Sequence, residues 1–171
     1  MARITTNTTG TQPCIIITAN VVANGNNYTA TFGSGDITVP QVQDITVTNS
    51  TGVFSYTTFQ DTDTRKLSTP ADNSIATNVV IDDTTWFGNA NATANTAAFL
   101  GLQKLSGDKM IIGFKMYWND NDGAGTGARY RQGVGFITNL APSVSPDAPV
   151  WVTPLEIAVD NYFTDSSNSG P

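Results

Sequence analysis

The sequence contains no histidine, a single cysteine (Cys14) and a single glutamate (Glu156). Without histidine there is no Ser-His or Cys-His nucleophile pair and no imidazole metal ligand. Cys14 alone cannot close an internal disulfide. It adjoins Ile15, Ile16 and Ile17, which predicts a small buried side chain rather than a reactive thiolate. Charge is also scarce. Charged residues make up 13% of the chain, against about 25% in an average domain. Eight Lys and Arg stand against fourteen Asp and Glu, giving a net charge of −6 and a pI near 4.2. That balance argues against tight holding of nucleic acid through a basic patch. Long hydrophobic runs are missing too. The run from Cys14 to Ile17 is soon broken by Thr18 and Asn20. It is too short for a signal-peptide core or a bilayer span. The expectation is synthesis and folding in the cytoplasm, with no membrane partner.

Uncharged polar residues fill the gap. Thr makes up about 15% of the chain and Asn about 9%. β-branched Thr suits pleated strands, while Asn and Gly suit turns. The 171 residues correspond to one domain, long enough to bury roughly 70% of its unfolded surface. Within it, residues 1–12 read as a polar N-terminal arm, 13–163 as a single β domain and 164–171 as a disordered tail. A buried strand is expected over 13–22, then a turn at Asn24 to Asn27 and a hairpin into Tyr28 to Phe32. Pro40 marks a break. Residues 60–74 (QDTDTRKLSTPADNS) read as a long polar loop, of the kind that is functional or flexible inside a compact domain. Ala92 to Leu105 is the helix candidate, with Ala98, Leu102 and Leu105 on one face and Gly107 as its cap. Gly101 inside it costs up to about 1 kcal/mol relative to Ala. Lys109 to Trp118 and Arg129 to Leu140 form a long hairpin, and Val150 to Phe163 a last strand. The sum is mainly β: a β-sandwich or barrel of about eight strands with one flanking α-helix.

Motifs for chemistry are weak. The loop 118–129 (WNDNDGAGTGAR) approaches a calcium loop. Aligning Gly123 with the turn glycine, however, puts Trp118 and Arg129 at two ligand positions. A turn explains it better, and an adventitious cation site is the alternative. The carboxylate pairs Asp61/Asp63 and Asp82/Asp83 lack the apolar surroundings that would raise a pKa for acid–base work. Glu156 has no evident second carboxylate for glycoside hydrolysis. The glycine-rich stretch 123–127 follows a strand without opening a helix, so it is not a phosphate loop. These readings predict no catalytic residues, no cofactor and no metal. Trp86, Trp118 and Trp151 offer a different possibility, sugar stacking, which competes with ordinary core packing.

From Asn95 to Phe163 the order of features resembles the tail tube (major tail) proteins of tailed bacteriophages. An Ala-rich helix (TANTAAFLGLQKL) precedes Gly-Asp and a long strand (KMIIGFKMYW). A glycine-rich hairpin loop leads to a strand ending GVGFITNLAPSVS, then Pro-Asp-Ala-Pro-Val and a final strand (VWVTPLEIAVDNYF). Pro154 departs from the family's usual alternation in that last strand. The N-terminal half matches more loosely, through a strand, the polar loop FQDTDTRKLSTPADN and Val79-Val80-Ile81.

The resemblance implies a β-sandwich with a flanking helix and a structural, non-catalytic role. Six copies would form a ring. Stacked rings would form a hollow tube in the virion tail, assembled in the host bacterial cytoplasm. The implied partners are further copies of the chain, a tape-measure protein, baseplate or terminator proteins, and a sheath where the tail contracts. Double-stranded DNA would pass through transiently, and an acidic lumen would let it slide. The loop from Gln60 to Asn73 is the candidate inter-ring contact. Its mixed charges, Asp61 and Asp63 against Arg65 and Lys66, with Leu67 beside them, suit a polar contact that fixes register. Against this stand a carbohydrate- or receptor-binding β-sandwich, and another virion protein such as a capsid decoration subunit or a secretion-system tube. The first requires two or three tryptophans exposed on one face.

Overall fold

The computed structural model describes residues 13–39, 42–57, 63–118 and 128–167, with the side chain of Ala148 left aside. Ten strands and two helices follow in the order β1 (Cys14–Thr18), β2 (Val21–Asn24), β3 (Asn27–Ala30), β4 (Ile37–Thr38), β5 (Val42–Tyr56), β6 (Arg65–Val80), α1 (Asp83–Phe87), α2 (Ala97–Gly107), β7 (Ile112–Tyr117), β8 (Arg129–Leu140), β9 (Ser143–Ser145) and β10 (Ala148–Ser167). The main sheet runs β4-β1-β7-β8-β10-β6-β5, with β9 added to β10. Every pairing is antiparallel. β2 and β3 form a separate hairpin around the turn at Gly25. The fold is thus mainly β, a sandwich with flanking helices, as the composition leads one to expect.

Period-2 alternation decides which face is buried. Ile15 and Ile17 pair with Met116 and Phe114, and all four are inaccessible to solvent. Ile75, Val79, Leu155 and Ile157 continue the same face across β6 and β10. Leu100, Leu102 and Leu105 of α2 and Trp86 of α1 close over it in one contiguous core. Each such side chain stabilises the fold by about 1.5–3 kcal/mol. On the other face, the β2–β3 hairpin lies against β7. A methyl group at Gly113 would fall 2.2 Å from the Cβ of Ala30, so glycine is what allows that approach.

Several expectations need correction. Among the described residues a short helix, α1, precedes the expected one. α1 is capped by Asp82, whose carboxylate accepts from the backbone N–H of Thr85 at 3.2 Å. Its TTWF sequence is too short to show a helical period. The second helix starts at Ala97 rather than Ala92, where Thr96 caps it by accepting from the Phe99 N–H. Gly107 is its last residue and Asp108 its cap. Residues 65–74 of the expected polar loop are strand. Residues 164–167, expected in a disordered tail, pair with Arg129 to Gln132 of β8. The arm 1–12, residues 168–171 and the loop 119–127 lie outside the described residues. Pro154 sits where its missing N–H does little harm. It falls between Val152, which pairs with Ser143, and Leu155, where pairing with Leu140 begins.

Gly101 breaks α2 with φ 75° and ψ 162°, a conformation essentially reserved for glycine. A Cβ there would meet the backbone nitrogen of Gly88 at 2.4 Å. Gly88 itself has φ 87° and lies against the Phe99 carbonyl. Two glycines therefore let the backbones of α1 and α2 touch. Helix propensity alone predicts that Gly101→Ala gains about 1 kcal/mol. The structure predicts the opposite sign, a loss of about 2 kcal/mol or more, read as a lower urea midpoint. A midpoint raised by Gly101→Ala would contradict this account of the kink.

Candidate assembly surfaces

β5 and β6 are far longer than the sheet they belong to. β10 pairs with β6 only from Val80 back to Asn73. Beyond that point β5 and β6 pair only with each other, from Asn49↔Asn73 to Tyr56↔Arg65. Every residue from Arg65 to Asp72 is exposed. The result is a two-stranded ribbon with neither face covered, reaching roughly 25 Å past the sheet at about 3.3 Å per residue. Such a ribbon is marginally stable alone in water.

The site residues expected from sequence fall on its tip. Asp61 lies outside the described residues. Asp63 is exposed just before β6. Arg65, Lys66 and Leu67 open the strand opposite Tyr56, Ser55 and Phe54. Pairing puts Arg65, Leu67, Phe54 and Tyr56 on one face and Lys66 on the other. Phe54 and Tyr56 stack with ring centroids 6.1 Å apart, yet Phe54 is 57% and Leu67 55% exposed. Sequence reading found the charges here but missed the aromatic partners across the ribbon. The alternation Phe54, Tyr56 was the available signal.

Two further surfaces stand unpartnered among the described residues. β5 ends the sheet, so its outer edge from Val42 to Tyr56 pairs with nothing. On β8, pairing with β7 stops at Gly135, so Phe136 to Leu140 pair only with β10. The four strands between these edges turn one face to the core. The other carries Thr46, Thr48, Ser74, Ala76, Ala158 and Phe136. Its charged groups are Asp44, Glu156 and Asp160, and no Lys or Arg occurs in the strand segments 42–49, 73–80, 136–140 and 152–160 that make it up. Asp44 accepts from the backbone and side-chain amides of Asn78 at 2.8 and 3.1 Å.

Other candidates resolve as structure. Asp82 is the helix cap. Its carboxyl is held below the usual carboxylate range by hydrogen bonds from the Thr84 hydroxyl and the Thr85 backbone, so it is poised as an anion rather than a general acid. Glu156 lies on the open sheet face beside Ala76. Cys14 is buried with Tyr117 and Ala128. Among the described residues no cluster of three or more Cys, Asp or Glu side chains could hold a metal ion. No helix among the described residues is long and apolar enough to cross a membrane. The three tryptophans do not share an exposed face. Trp86 is buried, Trp118 packs half-buried against the core beneath the Arg131 guanidinium, and Trp151 is 53% exposed.

Arg131 also grips the end of β10. Its guanidinium donates from Nε and Nη2 to both oxygens of Asp165, each at 2.6 Å. The hydrogen bond from Arg131 is the main cause holding the Asp165 carboxyl below its ordinary value. A depressed folded-state pKa means a contribution present at neutral pH and lost as the pH falls below about 4. Amides of Thr164 to Ser167 should therefore lose protection, relative to their intrinsic exchange rates, as the pH falls below about 4. Asp165→Asn should bring that lower protection to neutral pH and flatten its acid dependence. Unchanged exchange in the variant would contradict this role.

No protein-family model matches this sequence, and no curated protein matches it. The fold has clear likenesses among solved structures. A chain of the tail of an empty gene transfer agent (GTA) particle, refined helically with C6 symmetry, aligns with a TM-score of 0.53. Its identity is 13%, over 77% of this chain and 86% of that one. A chain of the native GTA virion gives 0.52 at 12% identity, over 77% and 88%. The SPP1 tail tube, determined by solid-state NMR and cryo-EM, gives 0.53 at 11% identity, over 92% and 78%. The chain therefore shares its fold with chains of the GTA tail and of the SPP1 tail tube.

Proposed function

We propose that the chain is a non-catalytic structural subunit of a virion tail tube, assembling as six-membered rings that stack into a hollow conduit. The observation that carries this reading is the ribbon together with the two open strand edges. An exposed strand edge is a liability that a monomer must protect. Here β5 and the end of β8 bound a four-stranded segment left open on both sides. Adding the β5 edge of one copy to the β8 edge of the next extends the sheet without a gap, and six such steps close a barrel. The ribbon then reaches along the axis to the neighbouring ring. Its tip, with Asp63, Arg65, Lys66 and Leu67, is the proposed inter-ring contact, and Asp61 belongs to the same segment.

The open sheet face would line the lumen. Asp44, Glu156 and Asp160 would repel the phosphate backbone and let DNA slide, whereas a basic lining would hold it. The fuller reading adds assembly in the host bacterial cytoplasm, a tape-measure protein inside the tube, terminator or baseplate proteins at its ends, and a sheath where the tail contracts.

Negative-stain electron microscopy with light-scattering mass tests the reading. The full chain should give rings or hollow filaments. Deleting residues 61–67 should leave a folded chain that forms rings but does not stack. Normal filaments from that deletion would refute the ribbon's role. A tube carrying Asp44→Lys, Glu156→Lys and Asp160→Lys should retain DNA at low salt and release it as salt rises. Retention equal to that of the unaltered tube would contradict the lumen assignment.

A further inference from the structure

Two exposed apolar patches lie at opposite ends of β6. One is the ribbon tip, with Phe54 and Leu67. The other is the β9–β10 corner, where Val144, Val150 and Trp151 are each about half exposed. The Ile81 N–H donates to the Trp151 carbonyl at 2.9 Å and fixes that corner to the far end of β6. The register sets the separation. Trp151 precedes Val152, the partner of Val80, and Leu67 lies 13 positions before Val80. At about 3.3 Å per residue this is roughly 43 Å. The two patches of one chain therefore cannot meet.

Their charges are complementary. The tip carries Arg65 and Lys66 against Asp63, a net charge of +1 among the described residues. The corner is flanked by Asp82, Asp83 and Asp147, and no Lys or Arg occurs from Ile81 to Gln103 or from Asn139 to Pro171. A rigid, amphipathic tryptophan flanked by valines is the kind of anchor on which interfaces concentrate their energy.

We propose that the Val144–Val150–Trp151 corner is the seat for the ribbon tip of a second copy. This rests on the assembly reading above and names the surface that completes it. A patch at one end that fits a different patch at the other makes a heterologous contact, and one directed along the long axis of the chain runs on instead of closing into a ring. Copies then stack head to tail. The axial repeat is at most about 43 Å, and shorter as the strands tilt from the axis.

Tryptophan fluorescence of the full chain tests this directly. With Trp86 buried and Trp118 half-buried, acrylamide quenching in the unassembled chain reports mainly on Trp151. On stacking, that quenching should fall several-fold and the emission shift to the blue. Trp151→Ser should keep its circular dichroism and form rings, but not stacks. Stacks of normal length from Trp151→Ser, or a Trp151 still fully quenchable inside wild-type stacks, would overturn the proposal. Failure of the unaltered chain to form rings at all would instead refute the assembly reading on which it stands.

Discussion

The organisation of the molecule depends on the point where β10 leaves β6. Up to Asn73, β6 has neighbours on both sides. Past it, β6 has only β5. The divergence is built from two asparagines. The buried Asn73 donates from Nδ2 to the Asn161 carbonyl at 3.1 Å, and Asn161 takes a left-handed conformation at φ 76°. Asparagine tolerates that region better than most residues. Between Asp160 and Thr164 the register with β8 slips, and Phe163 turns inward to meet Phe114 edge-on at 6.1 Å. One half of the sheet follows β10 toward Asp165 and its Arg131 clamp. The other half leaves as the ribbon.

That split divides the chain into a part that satisfies itself and a part that does not. β1, β7, the inner faces of β6 from Asn73 to Val80 and of β10 around Leu155 and Ile157, and the two helices bury the core and need nothing further. The ribbon, the β5 edge and the end of β8 leave backbone groups and apolar side chains unused. Low charge is consistent with this division. In the proposed assembly, edges that pair with another copy cannot carry the like charges that natural edge strands use to stay apart. Threonine, serine and asparagine keep such edges wettable before assembly and pairable during it.

Much of the fold was legible in the sequence. The apolar runs around Ile15 to Ile17 and KMIIGFKMYW, with its return strand, form β1, β7 and β8, and β1 and β7 are buried over most of their length. The helix was legible in outline. Gly101 looked like a cost within a regular helix, whereas it is a kink required by the Gly88 contact, which lies outside any local pattern. The ribbon was the hardest element to read. Alternation appears only where one face is buried, and residues 65–72 bury neither. A strand with neither face covered therefore looks like a polar loop. The charges of Asp63, Arg65 and Lys66 marked the segment that forms the ribbon tip, while Phe54, Tyr56 and Trp151 gained meaning only once the pairing placed them.

The account's central claim is that these bare edges and the ribbon become buried joints between copies. Hydrogen exchange of the full chain before and after assembly measures this most directly. Amides of Val42 to Tyr56 with no partner on β6, together with those of Arg65 to Asp72, should exchange rapidly in the unassembled chain. In the assembled tube they should become strongly protected. Core amides of β1 and β7 should stay protected throughout. Exchange at β5 and the ribbon that is the same in the two states would contradict the account.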